Sequence, residues 1–156
     1  MGFPKRLLMV LVVLCPVLGG CLAPRPGVEV ARVDVIDESS EGVSFRVLVA
    51  MENPWNEPVT IGTASLTVSV EGVSRFSDTD VPPVSLPAGG VQTIELRAAL
   101  PGSLASLAGR AMTARGEVTY TPPGDLRVIL TETGVPLPRA DFSWSGEVPA
   151  AKAADR

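Results

Sequence analysis

The sequence contains no histidine, and this absence removes the side chain that most often acts as a general base and most often binds zinc. It also lacks a Gly-x-Ser-x-Gly nucleophile turn, a glycine-rich phosphate loop and any pair of cysteines at metal-binding spacing. We therefore expect no catalytic residue, no metal site, no cofactor and no enzyme activity.

Acidic residues cluster in two places, but neither cluster has the spacing of an oxygen-ligand loop. One is Asp78-Thr79-Asp80, and the other surrounds the turn before Val43. Metal binding or acid–base catalysis is the alternative interpretation, and we favour solvated acidic turns. The cluster before Val43 consists of Asp34, Asp37, Glu38 and Glu41.

No apolar run is long enough to cross a membrane, because residues 7–18 fall short of the roughly 20 residues that a spanning helix needs. Lys5 and Arg6 precede this run, and Leu18-Gly19-Gly20-Cys21 closes it. The pattern resembles the export signal of bacterial lipoproteins. The resemblance implies cleavage before Cys21 and a diacylglycerol thioether on its sulfur. An ordinary cleaved signal peptide, which would leave a free thiol on Cys21, is the nearest alternative.

Cleavage there would remove Cys15 with residues 1–20, so no intramolecular disulfide could form in the mature protein. About 136 of the 156 residues would remain, enough for one domain with its own core. Without Lys5 and Arg6, 11 of the 13 basic residues stand against 17 acidic ones, a side-chain balance of −6. A surface of this sign repels phosphate backbones, so we expect no nucleic-acid partner.

The predicted organisation has four parts: the signal peptide (1–20), an acylated N-terminus with a proline-rich tether (21–27), one domain (28–149) and a disordered tail (150–156). At about 3.1 Å per residue the tether reaches only about 20 Å, so the domain is expected close to the bilayer. Leu22 stands where an aspartate would retain a lipoprotein at the inner membrane. The resemblance thus implies an outer-membrane protein that faces the periplasm and contacts membrane lipid through Cys21.

Apolar residues recur at every second position through most of residues 28–148, which predicts β-strands. Proline and glycine fall between these runs, at Glu71-Gly72, Pro82-Pro83, residues 87–90 and residues 121–125. A change of phase after Ile61 predicts a bulge near Gly62. The predicted strands are 28–36, 43–51, 59–70, 91–100, 114–120, 126–131 and 141–148.

These strands predict an all-β fold, an immunoglobulin/fibronectin-III-like antiparallel β-sandwich of about seven strands. One segment departs from the period of two. After Ser103, which can cap a helix, apolar residues recur at helical spacing as far as Ala111. We therefore expect one short helix over residues 103–112, closing an open end of the sandwich with Leu104 and Leu107.

Residues 47–61, which read VLVAMENPWNEPVTI, resemble a strand, an Asn-Pro turn and a second strand of the late embryogenesis abundant group 2 (LEA2) family, also called the water stress and hypersensitive response (WHy) domain. Residues 66–73, 84–90 and 116–120 resemble later segments of the same family in the same order. Trp55 departs from the usual Asn-Pro-Asn of the turn. The resemblance spans most of residues 28–148 and implies a β-sandwich with a role in stress tolerance.

Asn53 and Pro54 have a structural explanation in this turn. Asparagine can bind neighbouring backbone groups, and proline fixes φ and ends the strand ladder. A ligand-binding role for Asn53 is the less favoured alternative. Trp55 either packs against the end of the sandwich, which we favour, or stands exposed as a partner contact.

Two functions follow from this sequence. The preferred one is a non-catalytic, membrane-anchored envelope lipoprotein with a structural, stress-tolerance or partner-binding role. The alternative is a module that binds or transfers a lipid or acyl chain in the space beneath the predicted helix. Its partner would then be a lipid, whereas another envelope component, such as an envelope protein, is the partner expected if the preferred function acts through binding.

Overall fold

The computed structural model of the 156-residue chain describes residues 24–71, 74–79 and 84–149. Several sequence predictions concern residues outside these ranges. They are the signal peptide, acylation of Cys21, the sorting position Leu22, the tail from 150 to 156, and the turn positions Gly72, Pro82 and Pro83, together with Asp80.

The described part of the chain forms eight strands and two short helices, so it is mostly β. None of its helices is long and apolar enough to span a membrane. In chain order the elements are β1 (Gly27–Glu38), β2 (Val43–Glu52), β3 (Val59–Val70), β4 (Ser74–Thr79), β5 (Val84–Leu86), β6 (Val91–Leu100), α1 (Leu104–Leu107), β7 (Ala111–Thr121), α2 (Asp125–Thr133) and β8 (Arg139–Glu147).

The strands form two antiparallel sheets that pack face to face. The first has the order β1-β2-β6, and the second has the order β4-β3-β7-β8, with β5 also paired to β3. Strand β1 contacts β8 across the interface, and β6 contacts β3 and β4. Strands β4 and β5 were not among the predicted strands.

The period-two pattern correctly predicts the inward faces of the central strands. Alternate side chains of β2 and β6 point into the space between the sheets, and each such burial stabilises the fold by about 1.5–3 kcal/mol for a large aliphatic or aromatic group. The polar residues between them remain at least partly exposed. The buried set on these two strands is Val43, Phe45, Val47, Val49, Met51, Ile94, Leu96, Ala98 and Leu100.

The predicted bulge near Gly62 is confirmed. The pairing of β3 with β7 shifts register between Ile61 and Ala64. The Thr119 hydroxyl accepts a hydrogen bond from the Thr63 backbone N–H at 2.9 Å, so a side chain replaces the missing ladder bond. A Cβ on Gly62 would lie only 2.8 Å from that hydroxyl oxygen. Glycine therefore leaves room for the contact.

The prediction of a strand at 126–131 is wrong, because these residues belong to α2. Glycines with positive φ stand at both ends of the helix, Gly124 at 69° and Gly134 at 66°, and the second adopts the left-handed conformation of a helix C-cap. Six mostly apolar residues are too few for periodicity to separate a strand from a helix. The described residues therefore form two short helices rather than one.

The predicted helix at 103–112 is shorter than expected. Only Leu104–Leu107 are helical, while Ala111 and Met112 begin β7. Gly109, with φ of 73°, lies between the two elements. Leu104 and Leu107 are buried, as a closing helix requires. Ser103 makes no side-chain cap hydrogen bond.

Candidate functional site

One end of the sandwich brings together the Asn-Pro turn and the start of the domain. Gly27 at the beginning of β1 pairs with Glu52 at the end of β2, immediately before Asn53. In the second sheet, Thr60 pairs with Thr121, so the end of β7 and the segment from α2 to β8 lie at this end too. We call it the tether end, because the chain enters the domain here at Pro24.

Asn53 is the centre of the turn at the tether end. It is only 1% exposed, and its side-chain amide nitrogen donates to the carbonyl oxygens of Glu57 at 2.9 Å, Pro87 at 2.9 Å and Leu86 at 3.3 Å. Its side-chain oxygen accepts the Trp55 N–H at 2.9 Å. Both polar atoms of this side chain are therefore occupied by backbone groups.

Pro54 is exposed, and the chain turns after it. The Trp55 carbonyl accepts the Gly89 N–H at 2.8 Å, and the Asn53 N–H donates to the Gly90 carbonyl at 2.9 Å. Two backbone hydrogen bonds thus join the turn to the segment before β6. The geometry is that of a structural turn that positions Trp55.

Trp55 is half-buried and packs against the hydrophobic core. Its ring centroid lies 5.9 Å from that of Tyr120 on β7, with the ring planes at 40°. This is within the range of favourable aromatic pairs. One edge of Trp55 is therefore held by the sandwich while the rest remains accessible to solvent.

Tyr120 is buried, and burial raises the pKa of its hydroxyl above the ordinary value of 10.0. Desolvation disfavours the charged phenolate, whereas the positive charge of Arg25 acts in the opposite direction and lowers the pKa. The charge of Arg25, which precedes β1, therefore acts on the ionisation of Tyr120.

A cavity of about 250 Å³ opens beside this pair. Pro24 and Arg25 form one part of its wall and Leu126 of α2 forms another, so the residues that precede β1 and the helix share one depression. The volume is below the roughly 300–1,000 Å³ of typical small-molecule pockets. The remaining lining residues are Trp55, Tyr120, Pro122, Pro123 and Pro138.

The acidic cluster before Val43 separates in the folded chain. Asp34 pairs with Arg32 at 2.6 Å and with Arg46 at 3.2 Å. Glu38 instead accepts the Leu104 N–H at 2.8 Å and so supplies the cap that Ser103 does not provide. Within the described residues, no three acidic or cysteine side chains come close enough to hold a metal ion.

Three residues of the tether end were not predicted from the sequence as site residues: Arg25, Tyr120 and Leu126. For Leu126 a signal existed, because Asp125 at the first turn and Gly134 after the last are typical of helix ends. No local pattern indicates that Tyr120 meets Trp55, since the contact joins residues far apart in sequence.

The described residues therefore define a β-sandwich domain in which the buried side-chain amide of Asn53 forms hydrogen bonds with backbone groups. A family model for late embryogenesis abundant proteins, LEA_2, matches residues 48–139. The chain belongs to this family. The match covers the second half of β2, the Asn-Pro turn, β3, the aromatic pair and α2. None of the curated proteins compared with the chain matches it.

Two solved structures of other proteins share the fold. The chain is similar to the solution structure of At2g46140.1, assigned to the late embryogenesis abundant group, with a TM-score of 0.62 and 18% identity over 85% of this chain and 75% of that one. The solution structure of AT1g01470 from Arabidopsis thaliana gives a TM-score of 0.53 and 18% identity over 83% and 86% of the two chains. At these identities the likeness concerns the fold alone.

Proposed function

We propose that this protein is a non-catalytic envelope lipoprotein, held by acyl chains on Cys21, whose LEA2 domain supports stress tolerance or binds another envelope component. The observation that carries the proposal is the small number of residues between the lipobox-like segment and the first strand. The lipobox-like Leu18-Gly19-Gly20-Cys21 ends only six residues before β1 begins at Gly27. An acyl anchor there would hold the domain beside the bilayer, facing the periplasm from the outer membrane.

The buried chemistry supports a role without catalysis. Tyr120 aside, Asn53 is the polar residue that the structure describes as buried, and backbone partners occupy its side chain. A reacting group needs free hydrogen-bonding capacity directed toward a substrate. The family assignment points the same way, because the LEA2 role that it suggests requires no active site.

Two finer assignments belong to the same proposal. We assign the sandwich to the immunoglobulin/fibronectin-III-like class, supported by its strand order of β1-β2-β6 facing β4-β3-β7-β8. We also assign the chain to the WHy group on the Asn53-Pro54 turn, in which Asn53 is buried. Trp55 in the third place of the motif is then the candidate partner contact.

A pull-down from detergent-solubilised envelopes tests the partner-binding role. The full chain is compared with Cys21→Ala and with Trp55→Ala in the anchored form. We expect envelope components that are recovered with the anchored protein and lost with Cys21→Ala. Equal recovery with all three forms would argue against both the anchor and the proposed contact.

The alternative function is a lipid or acyl-chain carrier. Leu104 and Leu107 of α1 are buried and fill the place where the carrier hypothesis puts an acyl chain. Another cavity, of about 360 Å³, is lined partly by Glu29 and Glu52, whose carboxylates suit an acyl chain poorly. Native mass spectrometry of the protein purified from cells separates the functions. A bare protein mass, apart from the covalent acyl groups, supports the preferred one, and a co-purified lipid supports the carrier.

A further inference from the structure

An exposed apolar surface lies on the segment that joins β7 to β8. Every described side chain of this segment from Asp125 to Leu137 is exposed, except Leu130, which is half-buried. Monomeric proteins seldom leave so many neighbouring aliphatic groups in water without a functional reason. The exposed large apolar residues here are Leu126 at 45%, Val128 at 47%, Ile129 at 53%, Val135 at 52% and Leu137 at 37%.

We infer that this surface, which we call the α2 surface, docks onto the lipid bilayer that holds the acylated Cys21. The inference rests on the proposed function, since it uses the anchor to place the membrane. It adds that the domain has a fixed contact with the bilayer and does not merely hang from its tether.

The position of the tether leads to this partner. Leu126 lines the same cavity as Pro24 and Arg25. Only three residue steps separate Pro24 from Cys21, a reach of at most about 10 Å for a fully extended chain. An acylated Cys21 lies at the bilayer surface. Leu126 is therefore within reach of that surface.

The chemistry of the α2 surface suits an interfacial position. Hydrogen bonds within the helix pair the backbone groups in its middle, and the groups at its two ends suit the polar headgroup region. Amphipathic helices lie with their apolar side about 5–10 Å into the headgroup region, a depth that Leu126 and Ile129 could reach. Residues 124–137 contain one basic residue, Arg127, and two acidic ones, Asp125 and Glu132. The positive charge of Arg25 offsets the remaining negative charge. The surface therefore lacks the acidic excess of the whole chain, which would oppose contact with anionic lipid.

Docking would add a second membrane signal to the acyl anchor. Peripheral proteins gain stable attachment when lipid chains and a protein surface act together. The tether also raises the effective concentration of the α2 surface at the bilayer, so a modest apolar surface is sufficient for docking. A second copy of this chain would gain no such advantage from the position of Pro24.

The test places a thiol on the α2 surface of the full, membrane-derived protein. Cys15 would leave with the signal peptide and Cys21 would carry lipid, so Ile129→Cys would provide the one free thiol for an environment-sensitive dye. Ile36→Cys, at the opposite end of β1 and 39% exposed, is the matched control. The labelled proteins are reconstituted in phosphatidylethanolamine/phosphatidylglycerol vesicles that contain a lipid-borne quencher.

We expect the dye at position 129 to be quenched several-fold more strongly than the dye at position 36. Leu126→Asp in the Ile129→Cys background should remove most of this difference. Equal quenching at the two positions, in protein that has the acyl mass and floats with the vesicles, would overturn the inference and leave the proposed function standing. A dye signal that changes with the amount of protein per vesicle, and not with the amount of quencher lipid, would indicate a second copy of the chain on this surface. This result would also overturn the inference. Absence of the acyl mass would overturn both proposals.

Discussion

The side-chain nitrogen of Asn53 lies 2.9 Å from the carbonyl oxygen of Pro87, thirty-four residues further along the chain. This hydrogen bond joins the turn between β2 and β3 to the segment that leads into β6. One buried amide therefore connects the two sheets at the tether end. The same turn places Trp55 against Tyr120.

Replacing Asn53 by alanine should lower the free energy of unfolding by about 3 kcal/mol, because several buried backbone carbonyls would lose their donor. The exposed Asn56→Ala in the same loop is the matched control and should change stability by less than about 0.5 kcal/mol. Urea unfolding followed by tryptophan fluorescence measures both. Similar midpoints for the two variants would contradict the assigned role of Asn53.

Gly116 on β7 is expected to tolerate no side chain. A Cβ there would collide with the Ser65 carbonyl oxygen and the Phe142 ring. Gly116→Ala should therefore destabilise the domain by about 1–3 kcal/mol through overpacking. Gly27→Ala is the milder control, since the nearest atom to its new Cβ would be Glu52 Cβ at 3.3 Å. Thermal unfolding of the two variants tests this packing, and an unchanged midpoint for Gly116→Ala would refute it.

Tyr120 is the only tyrosine in the chain, so the near-ultraviolet absorbance of tyrosinate reports its ionisation alone. We expect a midpoint above the ordinary pKa of 10.0, because burial disfavours the phenolate. Arg25→Gln should raise the midpoint further, since the Arg25 charge lowers this pKa. A midpoint at or below 10.0 in the folded protein would show that the Tyr120 hydroxyl is not buried.

The same shift predicts how stability depends on alkaline pH. Between the unfolded pKa and the higher folded pKa, the folded state binds more protons than the unfolded state. Stability should therefore decrease as pH rises through this window, by up to about 1.4 kcal/mol per pH unit. Tyr120→Phe should remove this part of the pH dependence. Urea unfolding at neutral and alkaline pH compares the two proteins, and an equal alkaline loss in both would assign it to other groups.

Glu38, rather than Ser103, caps α1 through the Leu104 N–H. Glu38→Ala should lower stability by about 1 kcal/mol, the usual effect of removing a helix cap, whereas Ser103→Ala should have little effect. Chemical denaturation of the two single variants distinguishes them. A larger loss for Ser103→Ala would reverse the assignment.

The sequence was most informative where a strand is buried on one face. Val43, Phe45 and Val47 alternate with polar or partly exposed residues, and turn residues bound the strand, so β2 could be predicted with its orientation. Strand β4, with the sequence SRFSDT, has no apolar alternation to indicate it. Residues 126–131 were predicted as a strand because an apolar run normally reports burial, whereas most apolar side chains of α2 are exposed.

The candidate site was predicted only in part, for a similar reason. The local turn chemistry of Asn53 and Pro54 is encoded within a few residues. Its long-range partner Pro87, the Trp55–Tyr120 contact and the cavity beside Pro24 depend on the packing of distant elements. No periodicity in the sequence reports those contacts.

An acyl anchor at Cys21, directly before the domain, is the central claim on which both proposals depend. Intact-mass analysis of the full chain, expressed in a Gram-negative host and recovered from its membranes, tests this most directly. We expect a mature protein that begins at Cys21 and carries a diacylglyceryl group, with the Cys21→Ala form lacking the added mass. A recovered protein with an unmodified thiol at position 21 would contradict the account.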